Sequence, residues 1–498
     1  MKAIFKNIGP VKKAELELKD LTIIAGPNNT GKTYLAYTLY GFLKLMQNPP
    51  LFYQPRIRDL PIESPKHLEA ISGKYDTDFF KLAEKEKSHR VRKGLEFIRE
   101  AGSIPDKAVQ DIVNSGTTQF PVKDFKKIAQ QVFDICYNLS AETISDILDS
   151  SSDDFKNSDF SFYPDYLFHK RQEIPFKAEI DGKGEFKITS SLEKNIFTVH
   201  CENHEIYSTS YIEQVIIFAF ISQCLLFDSP KPFILSSERL GISLFYKELD
   251  LTKSRLVESI QKLKDTGNIN AIFSMMDHFS SRYAQPITDN INYTRDLEFI
   301  QKKRASLFES KLFDNIKEML GGYFKYEGYG VRFISKARKH GKFNIPLSMA
   351  SASARGLCDL YFFLKHAAHE NQLLIIDEPE SHLDTANQIE MARLLARCVN
   401  SGLKVLITTH SDYIIKEFNN LIMLSNAFEG KDDFLKSEKI YTDNDYLKPE
   451  SVSAYICDNG TLNPCDVDNK GMDIRSFDDT IDEINRISDE LDFLTDSN

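Results

Sequence analysis

LTIIAGPNNTGKTYLAYTLYGFL, residues Leu21 to Leu43, reads as a buried strand, a glycine-bounded loop and a helix. The spacing G-x4-G-K-[ST] is met by Gly26, Gly31, Lys32 and Thr33. A loop that wraps phosphate oxygens must turn its backbone N–H groups inward, and glycine reaches those dihedrals without a steric penalty. Lys32 sets a compact positive charge against the β/γ-phosphates, and the Thr33 hydroxyl ligates Mg²⁺. Asn28, Asn29 and Thr30 complete the nucleotide-binding loop, and the helix that follows aims its N-terminal dipole at the same anion. A chance match arises in about 2% of chains this long, and the flanking strand and helix lower that further.

The second half of such a site begins at Asn371, in NQLLIIDEPESHLDTANQ. Leu373 to Ile376 are a short continuous apolar run, as in a central parallel strand. The run ends in Asp377, placed to hold the Mg²⁺ water shell, and Glu378, placed to polarise an attacking water as general base. An isolated Asp-Glu pair means little, and a surface carboxylate pair is the alternative. Next, in GLKVLITTHSDYII, Val405 to Ile407 form another strand ending at Thr408, Thr409 and His410. A lone histidine is more often structural. One at a strand's C-terminal end lies where open α/β sheets bind ligands, and can sense a γ-phosphate. Between the halves, PLSMASASARGLCDLYFFLKH sets Ser351, Ser353, Arg355 and Gly356 ahead of a helix. Residue types alone leave a plain N-cap and an anion site equally open. The position just upstream of the carboxylate strand favours the anion site.

With 42% hydrophobic and 27% charged residues, the 498-residue chain has ordinary globular composition, enough for two to four domains. The most apolar run, Val215 to Phe227, is too short for a membrane span and predicts a buried helix. The N-terminus enters a strand pattern at once, so no signal peptide is expected. Seven cysteines without a C-x-x-C pair fit buried thiols in a reducing cytoplasm. A net charge of −11 excludes a whole-chain basic footprint for nucleic acid, though not a local one.

These elements, in this order, resemble the ABC-type ATPases of the RecF, SMC and Rad50 kind, and more closely the OLD-like ATPases of bacterial anti-phage systems. AIFKNIGPVKKAELELKDLTIIAGPNNTGKT resembles that family's N-terminal strands and Walker A loop, and LLIIDEP its Walker B, with Glu378 as catalytic base. ESHLD, ending at Asp384, resembles the D-loop, TTHS the switch histidine, and SASARG a degenerate signature motif in which Ser353 is assigned the phosphate contact. ILSSERLGISLF, from Ile234, resembles a strand near the site with two serines replacing its proline and alanine. The resemblance covers roughly residues 1–45, 230–250 and 320–425. It implies ATP and Mg²⁺ as ligands, sandwiched so that one protomer's signature completes its partner's site. A homodimer or higher oligomer is then required.

The expected fold is α/β: an ABC-type P-loop ATPase core split by a mixed helical and β insertion and a short helical arm. The expected divisions are core 1–48, insertion 49–229 (helical, then β-rich), core strand 230–250, helical arm 251–320, core 321–425 and C-terminal tail 426–498. NPPLFYQP opens the insertion. Its Phe79 to Ala101 stretch reads as a charged, locally basic helix, either a solvated face or a nucleic-acid or partner contact. SDILDSSSDDFKNSDFSF, from Ser145, reads as a loop, and the alternation from Lys177 to Tyr211 as antiparallel strands. The arm carries helical patterns at Thr252 to Ile269 and Thr294 to Leu320, without a long heptad run. Asp466 and Asp468 have the D-x-D spacing of a TOPRIM metal site, but roughly 70 tail residues are too few for that domain. The stretch from Ser476 to Leu494 reads as an acidic terminal helix.

Three functions compete. The first is an ATPase sensor or scaffold of an anti-phage system, controlling a separately encoded effector such as a nuclease, with a phage protein or nucleic acid as trigger. The second is a RecF-like repair ATPase that binds DNA, against which the acidic charge counts. The third is a transporter-coupled subunit, which the insertion after the first helix argues against. No membrane association is expected.

Overall fold

The computed structural model describes residues 1–47, 106–121, 138–139, 141–163, 173–180, 184–191, 196–202, 212, 230–246, 283–305, 310–328, 330–336, 343–438, 440–474, 483 and 485–492. They belong to two compact units, one of Met1–Ile4, Phe42–Asp146 and Lys156–Ser229, the other of Phe5–Gly41, Ile147–Phe155 and Pro230–Asn498. The start of the insertion at NPPLFYQP, the charged stretch Phe79 to Ala101, the apolar run Val215 to Phe227 and the pattern Thr252 to Ile269 lie outside the described residues.

In the larger unit, strands stand side by side in the order Pro232–Leu235, Leu373–Asp377, Lys404–Thr409, Leu21–Ala25, Val452–Asp458, Thr461–Cys465 and Val11–Glu17. The first five are parallel, paired for example as Ile234 with Ile375, Ile376 with Ile407, Thr408 with Ile24, and Ala454 with Ile23. Leu21, Ile23 and Ala25 share one core with Leu374, Ile376, Val405 and Ile407. Ile24, Leu373, Ile375 and Leu406 are buried on the opposite face. Burial of both faces explains why these strands are continuous apolar runs rather than alternating ones. Their C-terminal ends lie along one edge, where ligands bind in open α/β sheets.

Helices Ala352–His366, Thr385–Asn400 and Asp412–Met423 supply Leu357, Tyr361, Leu394, Leu395, Phe418 and Leu421 to the same core. Phe233 stacks on Phe363 with ring centroids 4.1 Å apart and meets Tyr293 at 4.7 Å, tying an outer strand to two helices. A separate antiparallel sheet of Gly322–Glu327, Gly330–Ser335 and Asn344–Pro346 leads into the helix Ala352–His366. Its Phe324 meets the ring of Tyr361 edge-on at 5.2 Å.

Two expectations change. Residues 452–465 fall in the expected C-terminal tail, yet they form two strands of the central sheet, one of them parallel to the phosphate-loop strand. They turn through Asn459 and Gly460, both with positive φ (48° and 78°). Asn-Gly is the pair that a two-residue hairpin loop requires. The serine- and aspartate-rich stretch from Ser145, expected as a loop, holds the end of the helix Ala141–Leu148, a 3₁₀ turn Ser152–Phe155 and the strand Asp159–Tyr163. Composition hid its few apolar anchors, Ile147, Phe155, Phe160 and Phe162, all buried.

Asp468 does not read as a ligand. Its carboxylate accepts from the Lys470 N–H at 2.7 Å and closes the turn between Val467–Asp468 and Gly471–Met472. Among the described residues no group of three or more His, Cys, Asp and Glu side chains is placed to hold a metal ion, and no helix is long and apolar enough to cross a membrane. Residues 485–492 are helical.

The smaller unit contains an antiparallel sheet in the order Thr117–Pro121, Ile196–Cys201, Gly184–Ser191, Glu173–Ile180. Three of these strands come from the alternating stretch read as antiparallel strands and the residues just before it. Phe120 and Phe197 meet across the first pair at 5.6 Å.

Candidate functional site

The loop after Leu21–Ala25 has left-handed backbone at Gly26 (φ 141°), Asn29 (65°) and Gly31 (103°). Space also demands glycine at two of these positions. A Cβ on Gly26 would strike the Cys457 carbonyl, and one on Gly31 would lie 2.5 Å from Val11 and 2.9 Å from Pro10. Asn28 and Asn29 are exposed, and the Thr30 hydroxyl donates to the Pro27 carbonyl at 2.9 Å. Lys32 is only 6% exposed. Its Nζ donates back to the carbonyls of Gly26 (2.8 Å) and Pro27 (2.7 Å), which holds the ammonium over the loop. Burial lowers its pKa, opposed by Cys457 and by the carboxylates of Glu378, Asp377 and Glu380.

Thr33 and Asp377, 344 residues apart in sequence, touch: the hydroxyl reaches the two carboxylate oxygens at 3.1 and 3.0 Å. The Thr408 hydroxyl donates to the same carboxylate. Asp377 is fully buried. Burial raises its pKa, and the Thr408 and Thr33 hydroxyls work against that rise. A buried carboxylate whose described partners are hydroxyls, beside a threonine at the mouth of the glycine-bounded loop, is an oxygen donor set that suits Mg²⁺.

Glu378 follows with φ 52°, a left-handed conformation that is costly for a residue with a Cβ. Its N–H donates to the Thr408 carbonyl at 3.1 Å and hydroxyl at 3.2 Å, and its Oε2 accepts from the Ser381 hydroxyl at 3.0 Å. Glu378 is half-buried, and its charge acts on both Asp377 and Lys32. Glu380 is buried and gathers donors from the next strand end: the Thr409 hydroxyl (2.9 Å), the His410 N–H (2.7 Å) and, through the ring, His410 Nδ1 (3.1 Å). The His410 side chain is 41% exposed, so one ring nitrogen is anchored while the ring faces solvent. Asp384 caps the helix Thr385–Asn400 by accepting from the Asn387 N–H at 3.0 Å, the bond that chiefly lowers its pKa.

The serine-rich segment is arranged differently. Ser351, not Ser353, is the N-cap of the helix Ala352–His366, accepting from the Ala354 N–H at 3.2 Å. Ser353 lies on the first turn, half-buried. Arg355 donates to the carbonyls of Ser348 (3.2 Å) and Ala350 (2.7 Å). Gly356 is buried, and a Cβ there would come within 3.9 Å of Arg239 Nε. Among the described contacts, none joins Ser353 or Arg355 to the phosphate loop of their own chain.

Arg239, Thr408, Thr409 and Glu380 were not read as site residues from the sequence. Arg239 is 3% exposed and bonds to the backbone at the end of the carboxylate strand. A weak signal existed, since Arg239 stands four residues after the short apolar strand Pro232–Leu235, in the quoted ILSSERLGISLF segment. The two threonines and Glu380 stood inside motifs already quoted, but their partners lie about 30 residues away.

A model of the AAA ATPase domain matches residues 1–415. A comparison with curated proteins found no match. Among solved structures, the chain is similar to the Smc head domain with an extended coiled coil from Pyrococcus furiosus, with 12% identity, 98% of each chain covered and a TM-score of 0.27. It is also similar to the SMC head domain from Thermotoga maritima (11% identity, 94% of this chain and 98% of that one, TM-score 0.28). A third is the recombination mediator RecF of the RecFOR pathway (11%, 93% and 97%, TM-score 0.28). Likenesses this distant say nothing of activity or partners, and the assignment rests on the domain match. That match spans the phosphate loop, the carboxylate strand and His410, and the chain belongs to the AAA ATPase domain family.

Proposed function

We propose that the protein binds and hydrolyses ATP as the sensor or scaffold subunit of a bacterial anti-phage system, controlling a separately encoded effector through ATP-dependent dimerisation or assembly. The observation that carries the nucleotide reading is the contact of Thr33 with Asp377, 3.0 Å across the mouth of the phosphate loop. In this reading the loop backbone and Lys32 bind the triphosphate. Thr33 and Asp377 would hold Mg²⁺, which would supply neutralisation of phosphate charge. Glu378 takes a proton from the attacking water as its oxygen bonds to the γ-phosphorus. The bond to the bridging oxygen breaks, and ADP carries away that oxygen's electron pair. His410, fixed at Nδ1 by Glu380, turns Nε2 to the γ-phosphate. Ser353, Arg355 and Gly356, with Asp384, act on a nucleotide held by a second protomer, which suits a segment with no described contact to its own phosphate loop. The defence role is supported by the resemblance of LLIIDEPESHLD and TTHS to OLD-like ATPases.

Phage plating on cells carrying the gene with its native neighbours tests this. Protection is expected, and both Lys32→Ala and removal of the neighbour abolish it. Protection that survives either Lys32→Ala or Glu378→Gln overturns ATP control. No protection, together with a salt-dependent and ATP-stimulated DNA affinity, replaces the proposal with the RecF-like one.

A further inference from the structure

Among the described residues, the buried Arg239 gives its three hydrogen bonds to backbone carbonyls and none to a carboxylate. Its Nη1 donates to the carbonyls of Ser236 (3.1 Å) and Asp377 (2.8 Å), and its Nη2 to the carbonyl of Glu378 (2.6 Å). The last two carbonyls flank a single Cα, that of Glu378, whose φ of 52° is the strained one. A guanidinium is a rigid planar fork. With its nitrogens fixed, the peptide planes on either side of Glu378 are fixed, and so is the direction in which Cα–Cβ leaves the backbone. The Glu378 N–H, bonded to Thr408, supplies a further anchor.

The fork is itself held. Ser236, whose carbonyl it takes, donates its N–H to Asn290 Oδ1 at 2.7 Å, and the Asn290 amide donates to the Ile234 carbonyl. Thr294, one turn further along the same helix, reaches Asp359 Oδ2 at 3.0 Å. Asp359 lies on the helix Ala352–His366, whose Gly356 passes beside Arg239 Nε. The seat of the arginine is therefore built partly by the helix that carries the serine-rich segment.

We propose that Arg239 is a positioning residue for Glu378: it clamps the carbonyls of Asp377 and Glu378, holds Glu378 in its left-handed conformation, and makes that conformation depend on the seating of the helix Ala352–His366. The inference rests on the reading of Glu378 as the base. A loss of aim of about 1 Å costs on the order of 100-fold in rate. The substrate contacts are elsewhere, so nucleotide affinity is left alone.

The test is single-turnover ATP hydrolysis and equilibrium binding of a fluorescent ATP analogue by full-length wild type, Arg239→Lys, Arg239→Gln and Glu378→Gln. Lysine keeps the charge but lacks the rigid planar fork that fixes both peptide planes from separate nitrogens. The expected result is a loss of hydrolysis on the order of 100-fold in both arginine variants, with the analogue's Kd within about threefold of wild type. Wild-type hydrolysis in Arg239→Lys, beside an inactive Glu378→Gln, overturns the positioning role and leaves the base reading standing. Wild-type hydrolysis in Glu378→Gln overturns the base reading and this inference with it. Loss of analogue binding in both arginine variants makes Arg239 a residue of the fold and also overturns the proposal.

Discussion

Two buried groups of charge in the larger unit are organised on opposite principles. Along the helix Thr385–Asn400, each cation is matched with its own carboxylate. Arg393 Nε pairs with Glu417 at 2.5 Å, and Arg397 pairs with the fully buried Asp445. Arg393 also lies over the Tyr441 ring at 4.8 Å, and Asn400 takes the carbonyls of Asn444 and Tyr446 at 2.7 and 2.8 Å. The Arg393–Glu417 pair joins this helix to Asp412–Met423, and the other contacts strap residues 441–446 to it. At the sheet edge, Lys32 and Arg239 give their described hydrogen bonds to backbone carbonyls, while Asp377, Glu378 and Glu380 take theirs from hydroxyls, N–H groups and His410. A region that pairs its charges internally is finished without a ligand. One that keeps cations and carboxylates apart, each held in place, fits the proposed ligand, since a metal-bound triphosphate carries both signs.

The sharpest way to break this comparison is to exchange function for stability at each place. Glu378→Gln is expected to lower ATP turnover by about 10²–10⁴-fold. Its denaturant midpoint should stay close to wild type, since the carboxylate is half-buried and accepts one neutral hydroxyl. A large drop in stability with turnover retained would reverse the assignment of the two regions.

Arg397→Ala should do the opposite. Removing one partner of a buried pair costs about 3–5 kcal/mol, because Asp445 is left charged and dry. Urea unfolding would show it, with turnover at permissive temperature preserved. Replacing Arg397 by Met and Asp445 by Asn together should recover part of the loss, since the amide oxygen still accepts from the Thr442 N–H.

Asp359 lies between the two principles. It is a buried carboxyl whose pKa is pushed up to about 7, mainly by burial, while the Thr294 hydroxyl and Arg239 oppose the shift. Its folded-state pKa exceeds that of an unfolded aspartate, so the folded chain binds the proton more tightly. Its stabilising contribution is full below the unfolded pKa of about 4 and is lost as pH rises towards 7. Asp359→Asn should remove that part of the slope, on the order of a few kcal/mol between pH 4 and 7, in unfolding curves measured beside wild type. Equal slopes would mean that the carboxyl ionises freely in the fold.

The smallest effect is at the cap. Ser351→Ala removes the acceptor for the Ala354 N–H and should cost about 1 kcal/mol. Ser353→Ala, which removes no such cap, should leave thermal stability within about 0.5 kcal/mol.

The phosphate loop, the carboxylate strand and the histidine strand were legible because each is a local pattern. Glycine spacing, a continuous apolar run and a polar residue at the run's end all lie within a dozen residues. The Asn459–Gly460 hairpin was equally local, and went unread only because it lay beyond the expected end of the core. Arg239 shows the other limit. Nothing in SSER says that its arginine bonds to Asp377 and Glu378, 138 and 139 residues later.

By itself the sequence determined an α/β core with a glycine-bounded loop after one strand, a carboxylate pair at the end of another, and the strands that carry both, since these depend on dihedral preference and burial over short spans. Tertiary structure alone decided that the Lys404–Thr409 strand stands between the phosphate-loop strand and the carboxylate strand. That placement lets Thr408 reach Asp377 and Thr409 reach Glu380. It also decided that residues 452–465 complete the sheet, that Ser351 rather than Ser353 caps its helix, and that one arginine grips the backbone on both sides of Glu378. Strand order and long-range hydrogen bonds are settled by which buried polar groups find partners once the chain has closed on itself, and that competition is not written in any one segment.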